Sequence, residues 1–269
     1  MSDAWNSSLT RRLALCVGSL TLALALWPSA RAAEIQVVSS GGFAEAYKAL
    51  APIFEKASGH TLVSGWGPSM GATKNAIPNR LARGESIDVV IMVGSALDTL
   101  VQQGKLAADS RVVLARSRIG MVVRAGAAKP DIRTVEQLKR ALREARSIAY
   151  SDSASGVYLA TVLFPKLGLS EELKGKARMI PAEPVGQVVA RGEAEIGFQQ
   201  VSELAHIQGI ELAGLLPDEV QEITLFSAAV VTGAAHSQAG IDLIRFLASP
   251  ESADIIETTG LEAVARSKR

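Results

Sequence analysis

The chain has 269 residues, with 28 basic and 27 acidic side chains, a formal net charge of +1 and an aromatic content of 4%. So balanced a charge gives no electrostatic hold on nucleic acid or an anionic membrane, and so few rings argue against a sugar-stacking site. A single cysteine, Cys16, excludes an intramolecular disulfide.

Residues 1–32 read as a secretory signal peptide. Arg11-Arg12 supplies the positive start, Leu13 to Trp27 the apolar stretch, and Ala30-Arg31-Ala32 the small residues of a cleavage site. The Thr10-Arg11-Arg12-Leu13 run hints at twin-arginine export. The leader carries three arginines (Arg11, Arg12, Arg31) and one acid (Asp3), so the mature 237 residues keep 25 basic and 26 acidic side chains and no cysteine. Disulfides and thiolate metal sites are thereby excluded from the mature chain, which is expected to be exported and soluble.

Ile35 to Val38 predicts a strand, and the period of Phe43, Tyr47, Leu50, Ile53 and Phe54 predicts a helix that Gly59 stops. Between them lies Ser39-Ser40-Gly41-Gly42. A Ser/Gly turn feeding a helix N-terminus offers free N–H groups and hydroxyls to an anion without any charged side chain. Residues 61–66 predict a second strand, followed by the turn Gly67-Pro68-Ser69-Met70-Gly71. Further strands are expected at Asp88–Met92, Ile119–Val123, Ser147–Tyr150, Ala177–Ile180, Glu195–Gln199 and Glu222–Val231. Helices are expected at Leu97–Gln103, Val135–Arg143, from the 151–156 turn through Lys166, and at Val185–Arg191, Ala239–Ala248 and Pro250–Thr258.

Strand and helix alternate, which predicts an α/β architecture. In such sheets ligands sit beyond the carboxyl ends of strands. Four turns at such ends, 39–42, 67–71, 151–156 and 183–186, share a small, polar character. Their convergence predicts an anion site. His60, His206 and His236 are scattered without metal-ligand spacing, and no phosphate loop occurs.

Several stretches together resemble the periplasmic substrate-binding proteins of ABC importers, in particular the molybdate-binding group. They are Val37–Phe43, Phe54–His60, Arg83–Ile91, Ser155–Tyr158, Val189–Gly197 and Ser249–Ala253. The resemblance implies a type II periplasmic binding protein fold with two lobes of mixed, mostly parallel sheets flanked by helices. Lobe 1 would comprise residues 33–116 plus 226–269, and lobe 2 residues 117–225, with the ligand cleft between them. It also implies a monomer in the periplasm that captures a small anionic ligand for an inner-membrane ABC permease, without cofactor or metal.

By position, the second serine of the family site falls on Ser69, its backbone donors fall near Ser155 and Val185, its first serine falls on Gly42, and its tyrosine falls on Gln200. Ser39 and Ser40 stand beside the first of these, and Gly41, Gly42 and Gly156 would let backbone approach the ligand. An extra segment, residues 72–78, follows Ser69 and brings Lys74 and Arg80 close. Two hydroxyls replaced and two cations added favour an organic carboxylate over molybdate, since an Arg fork matches a carboxylate. Tyr158, starting a helix beside the cleft, is a further ligand candidate, and Trp66 a candidate wall.

Aconitate isomerase, a periplasmic enzyme, is similar to the same family. It moves a double bond in a tricarboxylate by allylic proton transfer. That reading needs carboxylate clamps and a base, for which Asp152, Glu183 and a neutral Lys74 are candidates.

Overall fold

The computed structural model describes residues 32–266. The predicted leader lies outside the described residues but for Ala32. In chain order the first elements are β1 (Glu34–Ser39), α1 (Gly41–Ser58), β2 (Thr61–Trp66), α2 (Ile77–Ala82), β3 (Val89–Val93), α3 (Gly94–Gln102) and β4 (Val112–Ser117). Arg118 then carries the chain into a second sheet with β5 (Ile119–Arg124), α4 (Val135–Glu144), β6 (Ile148–Ser151), α5 (Ala154–Tyr158), α6 (Phe164–Lys166) and α7 (Ser170–Leu173). It continues with β7 (Ala177–Ile180), α8 (Val185–Ala190), β8 (Ile196–Gln200), α9 (Val201–Leu204) and β9 (Ile210–Leu215). Residues 216–223 bring it back for β10 (Thr224–Val230), α10 (Ser237–Leu247), α11 (Pro250–Thr258) and β11 (Glu262–Ala263).

The first sheet has the order β11-β4-β10-β3-β1-β2 and the second β7-β6-β8-β5-β9. Alternation of side chains along each strand explains why both sheets are covered on both faces. In the first, Ile35, Val37, Val89 and Ile91 join one core with α1, α10 and α11, while Val38, Val90 and Met92 join another with α3. In the second, Ile119, Met121, Ile148 and Phe198 face α4 and the 159–173 segment, while Val122 and Ala149 face α8.

The balance of strand directions is nearer even than the expected parallel majority. β1 runs parallel to β2 and β3, and β6 parallel to β7 and β8, but β10 is antiparallel to β3 and β4, β11 to β4, and β5 to β8 and β9. Much of this antiparallel pairing involves the strands that carry the chain between the sheets, β4 into β5 and β9 back into β10. β4 and β9 themselves were not predicted. Most predicted helices and the remaining longer strands form within a residue or two of the expected positions, and Gly59 ends α1 in the left-handed conformation at φ 73°. Ile53, expected on the buried stripe of α1, is 44% exposed.

Among the described residues no helix is long and apolar enough to cross a membrane.

Candidate functional site

The carboxyl ends of six strands, β1, β2, β3, β6, β7 and β8, open on one cleft of about 1000 Å³ between the two sheets. One wall comes from the first sheet: Ser40, Gly41 and Gly42 after β1, Gly67 to Ser69 after β2, Thr73 to Asn75 beyond them, and Val93 at the end of β3. The facing wall comes from the second: Asp152 to Ala154 after β6, Ala182 to Pro184 after β7, and Gln199, Gln200, Ser202, Glu203 and His206 at and after the end of β8.

The first wall presents unused donors. Ser40 is the residue before α1, yet its side chain makes no capping bond; it is buried to 3% exposure and its Oγ has no protein partner. Gly41 and Gly42, whose N–H groups open an 18-residue helix, line the same space. Ser69 Oγ accepts the Val93 N–H at 2.9 Å, which fixes the oxygen and leaves its hydrogen to donate. Thr73 Oγ1 is buried and unpartnered, and Lys74 stands exposed at the rim. Trp66 forms part of the lining, packed edge-on against Tyr47, with the Lys48 ammonium 5.2 Å from its ring centre.

The second wall has mostly consumed its donors internally. Ser151 Oγ lies 2.8 Å from Ser153 Oγ and 3.0 Å from Ser155 Oγ, so three hydroxyls satisfy one another. The Val185 N–H donates to Gln199 Oε1 at 2.9 Å. Ala182 takes a positive φ of 55°, unusual for a residue with a Cβ, and its N–H donates to Asp152 Oδ2 at 3.1 Å. Glu183 pairs with Arg191 at 2.6 Å. Gln200 Nε2 donates to Thr224 Oγ1 at 2.7 Å, tying β8 to β10 across the sheets, while its Oε1 stays buried without a partner.

Of the residues expected to bind ligand, the cleft gathers Ser40, Gly41, Gly42, Ser69, Lys74 and Gln200, and the expected wall Trp66 and candidate bases Asp152 and Glu183 line it as well. The other six lie elsewhere for identifiable reasons. Ser39 is fully buried and donates to the Ser40 carbonyl. Arg80 is drawn into a charge pair with Glu85 and donates to the Trp66 carbonyl. Ser155 belongs to the hydroxyl cluster, and Val185 has spent its N–H. A Cβ on Gly156 would strike the Ser151 carbonyl, so that glycine serves packing. Tyr158 donates its hydroxyl to the Val220 carbonyl at 2.8 Å.

The sequence reading missed Glu203. It sits on α9, one turn beyond the end of β8, with its Oε2 buried and without a protein partner. Its Oε1 lies against Gly41: a Cβ there would stand 2.5 Å from it. Burial pushes this carboxyl up to about 7; a hydrogen bond from Gln199 pulls it down, and the Asp152 charge raises it further. Its position just past the carboxyl end of a strand is the signal the sequence offers for it.

Similarity to known proteins agrees with this architecture. The family model of bacterial extracellular solute-binding proteins matches residues 35–262. An aconitate isomerase of Pseudomonas sp. is 52% identical over 251 residues, covering 93% of this chain and 96% of the relative. The molybdate-binding protein of Azotobacter vinelandii is 28% identical over 259 residues, 93% of this chain and 96% of its own. The solved structure of a periplasmic molybdate-binding protein from A. vinelandii superposes with a TM-score of 0.68 at 22% identity, covering 84% of this chain and 98% of that one, which shows the shared type II periplasmic binding fold.

Proposed function

We infer that this chain, which belongs to the bacterial extracellular solute-binding proteins, binds a small polycarboxylate in the periplasm and moves a double bond within it, as an aconitate isomerase does. The signal peptide read in residues 1–32 would take it there. The two sheets would act as lobes that close around the ligand by a hinge at the crossings near residue 118 and residues 216–223.

The observation that carries this reading is the chemistry of the cleft wall. Glu45, Asp152, Glu183 and Glu203 all line it. A site that only gripped an anion would be weakened by carboxyls facing the guest, through like-charge repulsion. Allylic proton transfer needs a base there, and a carboxylate can serve as one. The half-identity along nearly the whole length of an aconitate isomerase supports the same reading. So does the room available: a cleft of about 1000 Å³ holds far more than a four-oxygen anion, and Ser40, Ser69, Thr73 and Lys74 line it.

The test is incubation of the purified protein with trans-aconitate, followed by proton NMR. Appearance of cis-aconitate to an equilibrium mixture is expected. Stoichiometric binding with no product would instead support the second reading, delivery of an anion to an ABC permease, which the likeness to the molybdate-binding protein favours.

A further inference from the structure

The cleft offers four carboxyls, and geometry separates them. Glu45 is paired with Lys48 at 2.7 Å, Glu183 with Arg191 at 2.6 Å, and Asp152 accepts the Ala182 N–H at 3.1 Å. Of these four carboxyls, Glu203 alone keeps an oxygen that is buried and bonded to nothing among the described residues. Its orientation is fixed from two sides. Gln199 Oε1 accepts the Val185 N–H, which leaves the Gln199 amide N–H to donate to the Glu203 carboxyl. Gly41 makes room on the other side, where any Cβ would press on Glu203 Oε1. The carboxyl is thus lodged beside the start of α1, next to the free Ser40 hydroxyl that would hold a substrate carboxylate.

We propose that Glu203 is the base that takes the allylic proton from the bound tricarboxylate and returns it to the far carbon of the same allyl unit, both from one face. The proposal rests on the isomerase reading above. In the first half, the Glu203 carboxylate gains the proton, and the C–H electron pair becomes a new C=C bond as the old π pair spreads toward the neighbouring carboxylate. In the second half that pair takes the proton from Glu203 at the other end. Nothing is oxidised or reduced, and the carboxyl ends ionised as it began. The transient charge on the carboxylate oxygens falls where Ser40 Oγ, Ser69 Oγ and Lys74 can meet it. A single shielded carrier also predicts that the proton stays with the enzyme between the two halves.

The charged and titratable groups around Glu203 are Asp152 and Glu183 on its own wall, Glu45 and Lys48 on α1, Lys74 opposite and His206 just after α9. The base must be ionised to act, so kcat/KM should fall as pH drops below about 7. His206→Asn should keep that limb.

The experiment compares wild-type protein with Glu203→Gln, using trans-aconitate in heavy water, with calorimetry of binding alongside NMR of the product. Glu203→Gln should lose about 10³-fold in kcat while binding trans-aconitate at least as tightly, because one negative charge has gone. The first wild-type product should carry protium at the newly formed C–H, returned internally. Turnover of Glu203→Gln within tenfold of wild type would overturn the assignment, as would full solvent deuterium in the earliest wild-type product. Wild-type protein with no turnover at all would overturn the isomerase reading, and this proposal with it.

Discussion

The two walls of the cleft start from the same sequence material and end in different chemistry. Both are built from Ser- and Gly-bearing turns after strands. On the first wall the hydroxyls of Ser40 and Thr73 are left without partners, and Ser69 is bonded so that its hydrogen stays free. On the second, the serines at 151, 153 and 155 bond one another, and the Val185 N–H is taken by Gln199. That leaves the first wall to hold negative charge and the second to carry acid–base groups. The lesson is that a donor-rich loop becomes a binding loop only if its donors are not already satisfied within the fold.

This contrast can be broken at several points. The largest effect is expected at Glu203, where removal of the carboxyl should lower kcat about 10³-fold without loss of binding. The same variant has a stability signature. The folded state holds the Glu203 proton up to about pH 7, whereas an unfolded chain releases it near the ordinary value of 4.5. The folded state therefore loses stability as pH rises from about 4.5 to about 7, because over that range it binds more protons than the unfolded chain. Glu203→Gln should accordingly raise the Tm of the ligand-free protein at pH 8 and make little difference at pH 4, measured by calorimetry in both buffers.

Next in size is Ser40→Ala. Loss of a buried hydroxyl that meets a carboxylate should weaken trans-aconitate binding by about 1–3 kcal/mol, with Tm almost unchanged, since Ser40 caps nothing. Lys74→Ala should cost about 0.5–1 kcal/mol of binding, with an effect that shrinks as salt is added, because this ammonium is exposed. Ser155→Ala and Arg80→Ala should leave the dissociation constant within twofold of wild type. A larger loss from either would erase the distinction between spent and unspent donors.

Much of the framework was legible in the sequence because it rests on local pattern. The stripe of Phe43, Tyr47, Leu50 and Phe54 fixed α1, Gly59 its end, and the apolar runs at 88–92 and 119–123 the central strands. β9 escaped because Ala213 and Gly214 break the alternation that Ile210-Glu211-Leu212 begins, and β4 because Arg116 and Ser117 close a short apolar run. The site was half legible. Ser40, Gly41 and Ser69 could be placed from strand–turn–helix logic alone. Arg80 could not, because Glu85, five residues on, competes for it. Nor could Ser155, whose fate depends on how the Ser151 hydroxyl turns. Glu203 was hidden for a different reason: α9 is a single turn with no periodicity, and the carboxyl acquires its character only where Gly41, distant in sequence, packs against it.

The most direct measurement of this division of labour is a crystal structure with tricarballylate, the saturated tricarboxylate that cannot isomerise. The account predicts carboxylates on Ser40, Ser69 and Lys74, with a methylene carbon about 3–3.5 Å from a carboxylate oxygen of Glu203. A carboxylate seated against Glu203, or a carbon chain turned away from it, would contradict the account.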